Sequence, residues 1–133
     1  MQTNHNTSTR TGFLNLAIAI SLGALGAHAL NNTIEANALA AFKTGVLYHL
    51  IMSVLITSIS LSKFGSLEKT IKTVRLLWLG TYLFSGSLYV LSTYTLVPSL
   101  FWLKILGPVT PIGGLLMIIS CARLAFIVPK NHP

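Results

Sequence analysis

The sequence is poor in charge, and poorer in acid than in base. It has no aspartate and only two glutamates, Glu35 and Glu68, against nine lysines and arginines, giving a formal net charge of +7. Charged residues make up 8% of the chain and hydrophobic residues 53%, whereas a soluble domain carries about 25% charge. Eleven formal charges cannot solvate the surface of a 133-residue globule, so a water-soluble domain is excluded by its surface rather than its core. Cys121 is the single cysteine, which excludes an intrachain disulfide and a multi-cysteine metal centre. The sequence has no Asp, Glu or Cys cluster of the kind a hydrolase, protease or zinc site needs. The basic balance is not a nucleic-acid signal, because no basic stripe with interleaved aromatics accompanies it.

The charges that are present are spaced widely. Gaps of 24, 19, 28 and 18 residues separate Arg10 from Glu35, Lys43 from Lys63, Arg75 from Lys104, and Lys104 from Arg123. A helix rises about 1.5 Å per residue and the hydrocarbon core is about 30 Å thick, so a span needs ~20 apolar residues. All four gaps suffice. Helices of a soluble bundle would show polar residues every third or fourth position, and these stretches do not. The fold class expected is therefore an all-α, four-helix transmembrane bundle. Its helices fall at about 12–30, 42–62, 74–96 and 106–128 in one membrane domain, 12–128, between polar tails at 1–11 and 129–133. Asn31 is a candidate terminator of the first helix, since Asn tolerates the left-handed conformation. Residues 33–42 are rich in helix formers and suit a short interfacial extension of the second helix. Arg10 followed by an apolar stretch and Ala27-His28-Ala29 has the outline of a signal peptide, but the stretch exceeds the usual ~7–15 residues, and a span is the reading kept.

Orientation follows from the cations. With four spans, Arg10, Lys63, Lys69, Lys72, Arg75, Arg123 and Lys130 share one side, and Lys43 and Lys104 the other. The positive-inside rule places the N- and C-termini in the cytoplasm, as in a multi-pass protein of a bacterial plasma (inner) membrane. Trp78 and Trp102 fall near opposite interfaces, where indoles are favoured.

The residues unusual in lipid come next. His28 lies late in the first span and His49 early in the second, which puts both in the outer half. Gly45, His49, Ser53, Ile56 and Ser60 share one helix face, and such a face should point into the bundle because ionisable groups avoid lipid. Tyr48 and Tyr89 are possible donors to the histidines, and Ser85 shares a face with Tyr89. Pro108, Thr110 and Pro111 open the fourth span, where Pro111 would disturb a helix already under way and leave it broken or late-starting. These features form a candidate polar intramembrane site of His28, Tyr48, His49, Ser85, Tyr89 and Thr110. Helix packing is assigned to small residues, which allow close backbone approach: Ala19, Gly23, Ala27, Gly45, Gly86, Gly113 and Gly114. No metal ligands are expected.

At these same places the chain resembles a known family. The stretches Leu22-Gly23-Ala24-Leu25-Gly26-Ala27-His28-Ala29-Leu30, Phe42-Lys43-Thr44-Gly45-Val46-Leu47-Tyr48-His49, Phe84-Ser85-Gly86-Ser87-Leu88-Tyr89 and Thr110-Pro111-Ile112-Gly113-Gly114 look like the pattern of the domain of unknown function 423 family. Its members are small bacterial inner-membrane proteins, similar to an uncharacterised transmembrane protein of animals. Leu25 departs from the pattern, which commonly has an aromatic there. The resemblance implies a four-helix membrane fold and brings no catalytic residues or substrate.

Three functions fit these features. The first is a non-enzymatic accessory or assembly component, with the lipid bilayer and itself or another membrane protein as partners and no cofactor. The second is a small oligomeric transporter or channel lined by the histidines, which change charge near neutral pH. The third is a haem or redox protein with His28 and His49 as axial ligands.

Overall fold

The computed structural model describes residues 2–96 and 103–127, and for residues 2–8 and Lys63 the backbone alone. Pro98, Trp102 and Lys130 lie outside the described residues. Four helices carry the fold: α1 (Gln2–His28), α2 (Ala36–Leu61), α3 (Glu68–Thr93) and α4 (Val109–Ile127). Each contains, or forms all or most of, a stretch long and apolar enough to cross a bilayer, namely Thr9–His28, Ala36–Leu61, Glu68–Leu96 and Leu103–Ile127. Ile18, Ile20, Val54, Ile112, Ile118 and Phe126 are each more than half exposed. In water such a surface would aggregate, whereas lipid is its natural solvent.

The helix ends differ from the pattern of charges in instructive ways. α2 begins at Ala36 rather than 42, because Ala-rich Ala36–Phe42 forms helix at low cost and continues the span outwards. α3 begins at Glu68 rather than 74, and its first turns carry an ion pair from Glu68 to Lys72 at 2.7 Å. This i, i+4 pair has the acid towards the N-terminus, the orientation a helix favours. α4 begins at Val109 rather than 106, after a 3₁₀ turn at 103–106. Pro111 therefore occupies the first turn of α4, where backbone N–H groups have no intrahelical acceptor in any case. Of the broken or late-starting helix expected here, the late start is what occurs, and α4 alone covers about 28 Å. The end of α1 needs no left-handed residue: none of the described non-glycine residues has positive φ, and Leu30 N–H instead bonds Leu25 C=O at 3.1 Å.

Small residues govern how the helices meet. Along α1, Gly12, Ala19 and Gly26 are buried and Gly23 is partly so. A Cβ on Gly12 would overlap the Thr57 hydroxyl, one on Gly23 would lie 3.3 Å from Val46, and one on Gly26 3.0 Å from the Phe42 ring. Ala27 is exposed, so the seam passes through Gly26 instead. Steps of four residues drift about 40° around a helix at 3.6 residues per turn, and alternating threes and fours stay on one side. On α2, Gly45 receives Tyr89, Leu88 and the Ser85 carbonyl of α3, all within 3.3 Å of a notional Cβ. α3 and α4 approach through Gly80 and Gly113, while Gly114 makes ordinary contact with Phe84. Gly86 has no packing role, since a Cβ there would meet nothing within 4 Å.

Two apolar clusters fill the interior. Ile56, Ile59, Val74, Leu77, Met117 and Leu124 join α2, α3 and α4. Leu30, just beyond α1, joins Leu39, Phe42 and Val46 of α2 towards the other end, with Leu22 of α1 packed against them. Hydroxyls in the spans mostly bond back to their own helix, as Thr57 to Ser53 C=O (2.7 Å), Thr81 to Leu77 C=O (2.8 Å) and Ser120 to Leu116 C=O (2.7 Å). This satisfies them where no water can. A different solution operates between the two clusters.

Candidate functional site: a buried histidine clasp

His49 is 5% exposed and Asn15 6%. Both sit near the middle of the membrane, for His49 falls at the centre of α2 and Asn15 is six residues into the apolar part of α1. His49 Nε2 lies 3.1 Å from Asn15 Oδ1, and His49 Nδ1 lies 3.2 Å from the Tyr89 hydroxyl. The Tyr82 hydroxyl donates to the same Asn15 Oδ1 at 3.1 Å. Asn15 Nδ2 donates to Thr11 C=O at 2.8 Å. Four side chains from three helices thus form one network.

The bonding pattern settles who donates. Thr11 C=O can only accept, so it orients the Asn15 amide with nitrogen towards it and oxygen towards His49. A carboxamide oxygen can only accept, so His49 must carry its proton on Nε2. In a neutral ring Nδ1 is then the acceptor, and Tyr89 donates to it. A neutral His49 is thus the Nε2–H tautomer with both nitrogens bonded. Phe42 holds the Tyr89 ring, with centroids 5.0 Å apart, and Trp78 stacks on Tyr82 at 5.3 Å and 12°.

This arrangement differs from a proton wire. In a wire every link accepts on one side and donates on the other, but Asn15 Oδ1 accepts hydrogen bonds from both His49 and Tyr82 and has no proton to donate. The protons are committed towards one central oxygen. Chemically the site is a clasp that ties α1 to α2 and α3.

The other candidate residues lie elsewhere. His28 is exposed at the last position of α1. It is thirteen residues beyond Asn15, hence about 20 Å along the helix from the atom that His49 touches. The similar depth inferred for the two histidines is incorrect, because α2 starts earlier and brings His49 to mid-membrane. One iron cannot bind both rings at that separation. Tyr48 is exposed and packs edge-on against Phe84, with centroids 4.9 Å apart at 61°; it takes no part in the clasp. Thr110 pairs with Ser87 at 2.7 Å and fastens α4 to α3. Ser85 is buried, and its hydroxyl has no partner. Of the six candidates, only His49 and Tyr89 are joined by a hydrogen bond.

Asn15 and Tyr82 were not among them. Asn15 is a carboxamide well inside an apolar stretch, whereas Asn37 stands at the very start of one, and a group with two donors and an acceptor must find partners in lipid. That signal was available. Tyr82 offered none, since a tyrosine on a helix that long is compatible with any depth.

Comparison with known proteins places the chain in a family. Residues 22–114 match the family model described as "Protein of unknown function (DUF423)". The chain is 35% identical over 121 residues to the UPF0382 membrane protein YwdK of Bacillus subtilis, covering 90% of this chain and 93% of that one. It is 34% identical over 108 residues to a UPF0382 membrane protein of Haemophilus influenzae, covering 80% and 81%. A UPF0382 membrane protein of Schizosaccharomyces pombe is 34% identical over 120 residues, covering 90% and 95%. No solved structure matches the chain. With four membrane-crossing helices and matches along most of its length to proteins named for the membrane, the chain is a multi-pass membrane protein and belongs to the DUF423 family.

Proposed function

We propose that the protein is a non-enzymatic membrane component, an accessory or assembly partner that acts through association within the bilayer and neither converts nor transports a solute. The observation that carries this reading is the clasp. Its central acceptor, Asn15 Oδ1, is approached by two donors, so it holds helices together and offers no relay across the membrane. The short connections support the same view, since only seven residues separate α1 from α2 and six separate α2 from α3. Nothing between those helices is large enough to form an extramembrane active site.

The same proposal includes orientation. α1 starts, α2 ends, α3 starts and α4 ends at one end of the bundle, and that end carries exposed Arg10, Lys69, Lys72, Arg75 and Arg123. The positive-inside rule puts it in the cytoplasm, as in a plasma (inner) membrane protein.

The transport reading has one observation in its favour: Ser53, one turn along α2 from the histidine, and Ser85 of α3 are buried with unpartnered hydroxyls. Reconstitution separates the two. Liposomes containing the protein should show the proton leak of empty liposomes, unchanged by His49→Ala. A flux abolished by His49→Ala and retained by lipid-facing Val54→Ala would overturn the proposal in favour of transport.

A further inference from the structure

At the basic end of the bundle, the start of α3 and the end of α4 enclose a groove of about 430 Å³ lined by Leu67, Glu68, Lys69, Phe126 and Ile127. Its walls combine two chemistries. Leu67, Phe126 and Ile127 give an apolar floor, and Phe126 is 90% exposed, so nothing among the described residues covers it. Lys69 supplies a cation at the rim and is exposed. Arg123 precedes Phe126 and Ile127 by three and four residues, which places it on the same face of α4 one turn further into the membrane. Arg123 is exposed as well. Arg123 does not line the groove itself, but an arginine on a lipid-facing surface extends its guanidinium towards the polar boundary at low cost, and the groove lies at that boundary.

The acid in the groove does not cancel this field. Glu68 is paired with Lys72 at 2.7 Å, the only ion pair among the described residues. Three cations, Lys69, Lys72 and Arg123, stand against one carboxylate. The start of α3 adds to the same sign. Its N-cap, Leu67, supplies no side-chain hydrogen bond, and the first N–H groups of a helix have no intrahelical acceptor. Such an end favours negative charge.

From this combination we infer that the groove binds an anionic phospholipid: its phosphate between Lys69 and Arg123, its acyl chains over Leu67, Phe126 and Ile127. Basic sites between transmembrane helices are suited to anionic headgroups, and the apolar floor selects a lipid over a free phosphate. The inference does not depend on the orientation of the bundle or on the absence of transport.

The test is native mass spectrometry of the full chain released from nanodiscs containing equal parts phosphatidylglycerol and phosphatidylethanolamine. Wild-type protein should retain phosphatidylglycerol in preference. Each cation near the surface contributes about five-fold in affinity, so the double variant Lys69→Gln/Arg123→Gln should lose at least about ten-fold of that preference. The double variant Lys43→Gln/Lys104→Gln, which removes the two cations of the opposite end, should keep it. Circular dichroism melting checks that each variant is folded, and the single variants carry the same reading if the double does not fold. Equal retention of the two lipids by wild type overturns the inference. So does a preference untouched by Lys69→Gln/Arg123→Gln, or reduced equally by both doubles. Displacement by inorganic phosphate alone would replace the lipid with a free anion as the ligand and overturn it too.

Discussion

Gly80 of α3 and Gly113 of α4 put two helix backbones in direct contact: a Cβ built on Gly113 would lie 2.8 Å from the Gly80 carbonyl oxygen and would overlap the Phe84 nitrogen. The reciprocal Cβ on Gly80 would stand 3.0 Å from the Gly113 carbonyl oxygen and the Met117 nitrogen. Backbone atoms cannot turn aside as a flexible side chain can, so the helices would have to separate. In lipid, where no hydrophobic force drives helix to helix, lost contact is lost stability.

Gly113→Val should therefore destabilise the protein by about 1–3 kcal/mol, the range for overpacking a tight contact. Gly86→Ala is the internal control. Its Cβ meets nothing, and alanine is the better helix former by up to ~1 kcal/mol, so stability should hold or rise. Thermal unfolding in detergent, followed by circular dichroism, compares the two.

The same contrast shows what could be read in the sequence. The four spans were legible because a charge in lipid is costly, and the gaps between charges record that cost directly. Helix ends were less legible. Residues 36–41 and 68–73 lie beyond the apolar gaps yet remain helical, because alanine propensity and the Glu68–Lys72 pair operate irrespective of the solvent. Close contacts were the least legible. Gly86 and Gly113 are the same residue type in similar motifs, and only the placement of α4 distinguishes them.

His49→Leu should cost about 1–3 kcal/mol. It removes two intramembrane hydrogen bonds, each worth ~0.6 and at most ~1.7 kcal/mol, and leaves the Tyr89 hydroxyl without its acceptor. His49→Gln, whose amide can still donate to Asn15, should recover part of the loss. If His49→Leu were as stable as wild type, the histidine would not be a clasp.

Asn15 and His49 should be energetically coupled. A double-mutant cycle with Asn15→Ala and His49→Ala is expected to give a coupling energy of about 0.6–1.7 kcal/mol. Additive losses would mean that the 3.1 Å contact contributes nothing to stability. Asn15 is less legible in the sequence than His49 because a neutral amide carries no titratable charge. In lipid an amide needs partners as surely as a histidine does.

Gly12→Ala tests the register of α1 on α2. The added methyl would overlap the Thr57 hydroxyl, so the variant should unfold at lower temperature. Thr57→Ala in the same chain removes that hydroxyl and should restore part of the loss. No rescue would place another residue opposite Gly12.

The protonation of the His49 ring tests the clasp most directly. Nitrogen-15 NMR of histidine-labelled protein in lipid bilayers distinguishes the two neutral tautomers from each other and from the charged ring. The bonding around Asn15 requires the proton on Nε2, with Nδ1 shifted by a hydrogen bond that Tyr89→Phe removes. A proton on Nδ1, or a ring signal unchanged by both Tyr89→Phe and Asn15→Ala, would contradict the account.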